Sequence, residues 1–338
     1  GNGDKFDRDG MEEFFGGARG EDRKDAGELP KKAQKGFDGE IPELPGGVEG
    51  FEKSEMPEGG PPQFGGMFKG SSDVLLQYTD DASDSYINIF DNAKTDITDT
   101  DKKRLIASLK KLGQGEDIED VVDVEAVIRY FVVHNFVCNF DSYTGSMVHN
   151  YYLYEKDGQL SMIPWDYNLA FGGFEAQSDA DGNGGSNANS MVNFPIDSPV
   201  SGGSVEERPM LAWIFNNEEY TEMYHQYFQE FLDSYFADGS FSNSYFEEMI
   251  SSVKEMIAPY VEKDPTKFCS YEEFEKGSDT LKQFCLLRAE SIRGQLAGTI
   301  PSIAEGQQQD KTALVDASGI SISDMGTMAG RGGFPSHR

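Results

Sequence analysis

The chain has 338 residues and a formal net charge of −31. That charge argues against nucleic acid as a partner, since phosphate backbones need stripes of Lys and Arg, and it would repel a free nucleotide unless a divalent cation neutralised the phosphates. Aromatic residues make up 12%, with 24 Phe and 15 Tyr, which supplies apolar surface for a core in the middle of the chain, and no run of 18 apolar residues predicts a transmembrane helix.

The opening GNGDKFDRDG has neither a Met start nor an apolar signal core, so the sequence reads as a fragment or as a chain from which a signal segment has been removed. Residues 1–70 are a low-complexity segment of Gly, Pro and charged residues, expected to be disordered because they bury too little apolar surface to offset chain entropy. Gly59-Gly60 and Gly65-Gly66 lie beside Pro57, Pro61 and Pro62. They lack the strand before and helix after that a phosphate-cradling loop requires. Order is expected from about Asp73, where DVLLQYTD and SYINIFD read as short strands or extended segments. Residues 99–112 predict a helix whose stripe is Leu105, Ile106, Leu109 and Leu112, stopped by Gly113. Residues 123–138, DVEAVIRYFVVHNFVC, predict a helix capped by Asp123 and apolar almost all round, hence buried. NYYLYE and QLSMIPWD then read as a β-hairpin turning at Lys156-Asp157-Gly158. A Gly/Ser/Asn-rich loop is expected from Phe174 to about residue 205, then helices over 207–217, 218–236, 242–262 and 278–298, then a disordered tail over 301–338. Cys138, Cys269 and Cys285 have no metal-ligand spacing; Cys269 and Cys285 could pair or stay separate buried thiols.

The helix over 123–138 delivers the chain into a loop carrying Asp141, and Asn150 and Asp166 flank the hairpin. Each has an ordinary explanation alone: a solvated loop Asp, a turn-capping Asn, an acid at a strand end. Together they differ, because a hairpin brings its two ends to one place. An Asp, an Asn and an Asp meeting there could hold a divalent cation and orient a hydroxyl, the minimum equipment for phosphoryl transfer.

The segment HNYYLYEKDGQLSMIPWDYNLAFGGF resembles the signature of the spore coat protein H family, the CotH kinases, atypical members of the protein-kinase-like superfamily. The resemblance runs from about Asp73 to about Ile300. It combines motif order, the unusual WDYN element and the helices downstream. It implies an α+β fold: a protein-kinase-like C-terminal lobe over 71–300, mostly helical, with a short β-hairpin at the active site. Carried over residue by residue, Asp141 would accept or orient the proton of the attacking hydroxyl, while Asn150 and Asp166 would bind Mg²⁺ or Mn²⁺ bridging the phosphates of ATP. His149 reads as a structural imidazole that could support Asn150, His134 as a core histidine, and Trp165 as packing behind the site. The function implied is that of an atypical protein kinase acting on Ser/Thr hydroxyls of a protein substrate, such as a coat or surface protein, in the spore coat or at the surface of a bacterium.

There are departures. Asp141 and Asn150 are nine positions apart where the common kinase loop has five, so the residues between them are expected to bulge out. Tyr167-Asn168 stand where ordinary kinases have Phe-Gly. No strand-borne Lys precedes Asp73, so the N-terminal lobe with its nucleotide-contacting Lys is expected to be missing or incomplete. That absence keeps a second reading open: a non-catalytic coat or cell-surface protein that uses the fold as a binding module. A carbohydrate-active enzyme with Asp141 and Asp166 as paired carboxylates would leave Asn150 without a role. Asp179-x-Asp181-x-Asn183-Gly184 copies half of a calcium loop, but Ser190 stands where the bidentate Glu belongs.

Overall fold

The structure, a computed structural model, describes residues 71–174, 184–236 and 244–326. The segment 1–70, its glycine pairs and Asp179–Asn183 of the calcium-like sequence lie outside the described residues.

The described chain begins with turns rather than strands. Leu75 and Leu76 are both buried, and Leu76 has φ 61°, so alternation fails at once. Asp73 staples the segment instead: its carboxylate accepts from Ser71 Oγ, Val74 N and Asn88 N. SYINIFD likewise forms a 3-10 turn and the short helix α1 (Ile87–Phe90), not a strand. Helix α2 (Asp99–Gln114) starts at a reciprocal cap between Thr98 and Asp101 and runs through Gly113, stopping two residues later at Gly115, whose φ of 67° suits a residue without Cβ. A single turn, α3 (Ile118–Val121), leads into α4 (Val124–Phe136), capped by Asp123 as the sequence predicts. Val127, Ile128, Phe131, Val132 and Phe136 bury this helix at the centre of the core.

Strands β1 (Tyr151–Lys156) and β2 (Gln159–Pro164) form an antiparallel hairpin in which Tyr151 faces Pro164 and Lys156 faces Gln159. Leu160 and Met162 point into the core, while Tyr154, Ile163 and Trp165 are exposed. Among the described residues the sheet has these two strands. Ser108 Oγ on α2 donates to Gly158 O at the turn, and a bidentate Arg104–Glu155 pair (2.6 and 2.7 Å) clamps α2 to β1.

The expected loop from 174 to 205 contains a helix, α5 (Gly184–Val192), followed by α6 (Pro209–Phe215), α7 (Glu218–Phe236) and α8 (Tyr245–Lys263). Helix α9 (Tyr271–Leu296) begins well before the predicted residue 278, at a second reciprocal cap between Ser270 and Glu273. It packs on α5, α7 and α8, so the second half of the chain wraps around it. The expectation of a tail disordered from residue 301 does not hold for its first part. Helix α10 (Ala304–Gln309) and the stretch to Gly326 are folded, with Ala317, Ile320 and Ile322 buried. All three cysteines are free, with Cys138 and Cys285 buried.

Candidate active site

Two loops meet at the open end of the hairpin. The first, residues 137–150, leaves α4 and enters β1. The second, residues 165–174, leaves β2. Asn150 and Asp166 stand one residue before Tyr151 and two after Pro164, the pair that closes the hairpin, so strand pairing brings both to the same end of it. Both have left-handed backbones (φ 50° and 54°), a conformation that Asn and Asp tolerate better than most residues. The second loop is also tied to the end of α4: Phe171 N donates to Val137 O (2.5 Å) and Gly172 N to Cys138 O (3.2 Å).

Asp141 is held on both oxygens by consecutive residues. His149 Nε2 lies 2.8 Å from Oδ1, and Asn150 Nδ2 donates to Oδ2 at 3.1 Å. The expected meeting of Asp141 and Asn150 is therefore direct, and His149 supports Asp141 rather than Asn150. Asp141 is buried, which pushes its carboxyl above the ordinary carboxylate value. His149 opposes that shift, while the nearby charge of Asp166 adds to it. Asp166 is close enough to be felt electrostatically yet is itself exposed.

The residues between Asp141 and Asn150 do not all bulge out. Ser142, Tyr143 and Thr144 are completely buried, and the loop folds inward. Tyr143 Oη donates to Leu75 O, Ser142 Oγ donates to Asn150 O, and Tyr151 Oη donates to Val74 O (2.6 Å). Arg208, also buried, donates from Nε to Tyr143 O and from Nη2 to Gly145 O, both at 2.9 Å. Gly145 is obligatory for space, since a Cβ there would overlap the Phe140 carbonyl. Only Met147 of this stretch is exposed. Nothing in the sequence marks Arg208: a lone Arg before Pro209 carries no pattern of a brace for a loop more than 60 residues away.

Trp165 is 53% exposed and meets Tyr152 edge-on (5.1 Å), so it lies on the outer face of the hairpin and does not back the site. His134 is a buried core histidine as expected. Burial holds its pKa at about 3, so the ring is neutral. Its Nδ1 meets Tyr167 Oη and its Nε2 meets Thr144 Oγ1, both at 2.9 Å.

The oxygens present suit a hard divalent cation. Among the described residues the Asp166 carboxylate takes no hydrogen bond or ion pair, and Asn150 spends its NH₂ on Asp141, which turns its amide oxygen to other use. No group of three or more His, Cys, Asp and Glu side chains able to hold a metal occurs among the described residues. A metal here would thus rest on one carboxylate, an amide oxygen and the oxygens of its ligand, which is how Mg²⁺ is commonly held with phosphates.

No curated protein and no solved structure matches the chain. The family described as CotH kinase protein matches residues 51–292, a span that contains both loops, the hairpin and most of α9. The chain belongs to the CotH kinase family.

Proposed function

We propose that this protein is a divalent-metal-dependent protein kinase that transfers the γ-phosphoryl group of ATP to Ser or Thr hydroxyls, on a fold equivalent to the C-terminal lobe of a protein kinase. The observation that carries the reading is the convergence of Asp141, Asn150 and Asp166 at one end of the hairpin, within the span matched by the family. Asp141, oriented by His149 and Asn150, takes the proton of the substrate hydroxyl as its oxygen bonds to the γ-phosphorus and the bond to the ADP oxygen breaks. Asp166 and the Asn150 amide oxygen hold Mg²⁺ or Mn²⁺, which neutralises charge on the phosphates when bound. The strongly acidic chain makes that neutralisation a requirement for nucleotide binding.

The test is transfer of label from γ-labelled ATP to a Ser/Thr-containing protein, with and without a chelator. Transfer should need the metal and should fall by roughly 10²–10⁴-fold in Asp141→Asn, with Asp166→Ala at least as damaging. Undiminished transfer in both variants would overturn the assignment. A second reading, a coat or cell-surface binding module without catalysis, draws on the two-stranded sheet of the described residues. It requires that the wild-type chain neither transfers label nor gains thermal stability from metal and ATP.

A further inference from the structure

Resting on that reading of the site, we propose that His134 is a positioning residue that locks the Asp166 loop to the Asp141 loop. Its ring stands on α4, beneath both loops, and each ring nitrogen engages one of them. Nδ1 is 2.9 Å from the hydroxyl of Tyr167, the residue after Asp166, and Nε2 is 2.9 Å from the hydroxyl of Thr144, three residues after Asp141. Two backbone bonds also join the loops, Phe171 N to Val137 O and Gly172 N to Cys138 O, but they lie at the start of the first loop and towards the end of the second, away from Asp141 and Asp166.

The bridge is built to be rigid. His134 and Thr144 are completely buried, and the imidazole is stacked on Tyr130 (5.1 Å, 19° between planes) and meets Tyr167 edge-on (5.8 Å). A neutral imidazole donates at one nitrogen and accepts at the other, so one hydroxyl gives and the other receives. Cutting either end leaves a buried polar group without its partner, which costs more than the bond itself contributes. Both hydroxyl positions are therefore held to one geometry, and with them the left-handed turn at Asp166 and the inward fold at Thr144. Tyr167 replaces the Phe that follows the metal Asp in ordinary kinases, and its hydroxyl is the atom that makes this bond possible.

Two isosteric substitutions test the bridge without emptying the core: Tyr167→Phe cuts one end and Thr144→Val cuts the other. Backbone amide hydrogen exchange on the full chain is the readout that does not depend on catalysis. Tyr167→Phe should speed exchange in residues 141–150, and Thr144→Val should speed it in residues 166–172, each variant loosening the loop it does not touch. Exchange that rises only in the substituted loop would overturn the proposal. In the phosphoryl-transfer assay both variants should lose about 10- to 100-fold in kcat, the range seen when supporting partners of metal ligands are removed, with KM for the protein substrate unchanged. A loss of thermal stability with kcat intact well below the melting temperature would also overturn it. If the wild-type chain transfers no phosphate, the functional reading falls while the exchange experiment still decides the bridge.

Discussion

The two loops of the site are built in opposite ways. The loop from Asp141 to Gly145 is buried at every residue and is braced from distant parts of the chain by Leu75, Arg208 and Met210. The loop from Trp165 to Asn168 is largely exposed and depends on a short 3-10 turn, one part-buried hydroxyl contact and, further along the chain, two backbone bonds to the end of α4. The first arrangement fixes a carboxylate and desolvates it. The second leaves a carboxylate open, so that its oxygens can change partners. A proton acceptor benefits from the first and a cation seat from the second, and the difference is what the proposed division of labour between Asp141 and Asp166 requires.

That contrast can be broken from the buried side first. Gly145→Ala should have the largest effect, because its Cβ meets backbone rather than a flexible side chain. A loss of more than about 4 kcal/mol, or failure to fold, is expected in a denaturant melt. Arg208→Leu comes next. It strips charged hydrogen bonds from two buried carbonyls and should cost roughly 3 kcal/mol.

Glu155→Gln should have a smaller effect, about 1 kcal/mol, since it weakens the Arg104 clamp behind the hairpin. Arg104 beside it holds the Glu155 carboxyl below its ordinary value. The clamp therefore contributes fully above the unfolded-state value and is lost as pH falls through the lower folded-state one. The stability gap between wild type and Glu155→Gln should accordingly close in acid and reopen towards neutrality. The smallest change is expected on the exposed side. Trp165→Ala should alter stability by no more than about 0.5 kcal/mol, because the indole covers only the outer face of the hairpin. If it destabilised the protein as much as Arg208→Leu, the distinction between a braced loop and an open one would not hold.

The sequence made local features legible. The β-rich runs NYYLYE and QLSMIPWD on either side of Lys156-Asp157-Gly158 predict the hairpin, and Asp123 before a nearly all-round apolar run predicts the central helix. From the hairpin alone it followed that Asn150 and Asp166 share an end. What was illegible depends on distant partners. DVLLQYTD has the composition of a strand, but Asp73 folds it into turns whose carbonyls receive Tyr143 and Tyr151. The stretch between Asp141 and Asn150 looks like loop surface until Arg208 is seen beneath it. The Gly-rich sequence before residue 192 and the polar one after residue 303 hide small buried residues, Ala188 and Ala317, whose packing no periodicity announces.

The most direct measurement is thermal stabilisation by Mn²⁺ with ATP in wild type, Asp141→Asn and Asp166→Ala. An open cation seat at Asp166 and a braced proton acceptor at Asp141 predict that wild type and Asp141→Asn are both stabilised, by about 2.7 kcal/mol at a hundredfold excess over Kd, and that Asp166→Ala is not. Stabilisation retained in Asp166→Ala and lost in Asp141→Asn would contradict the account.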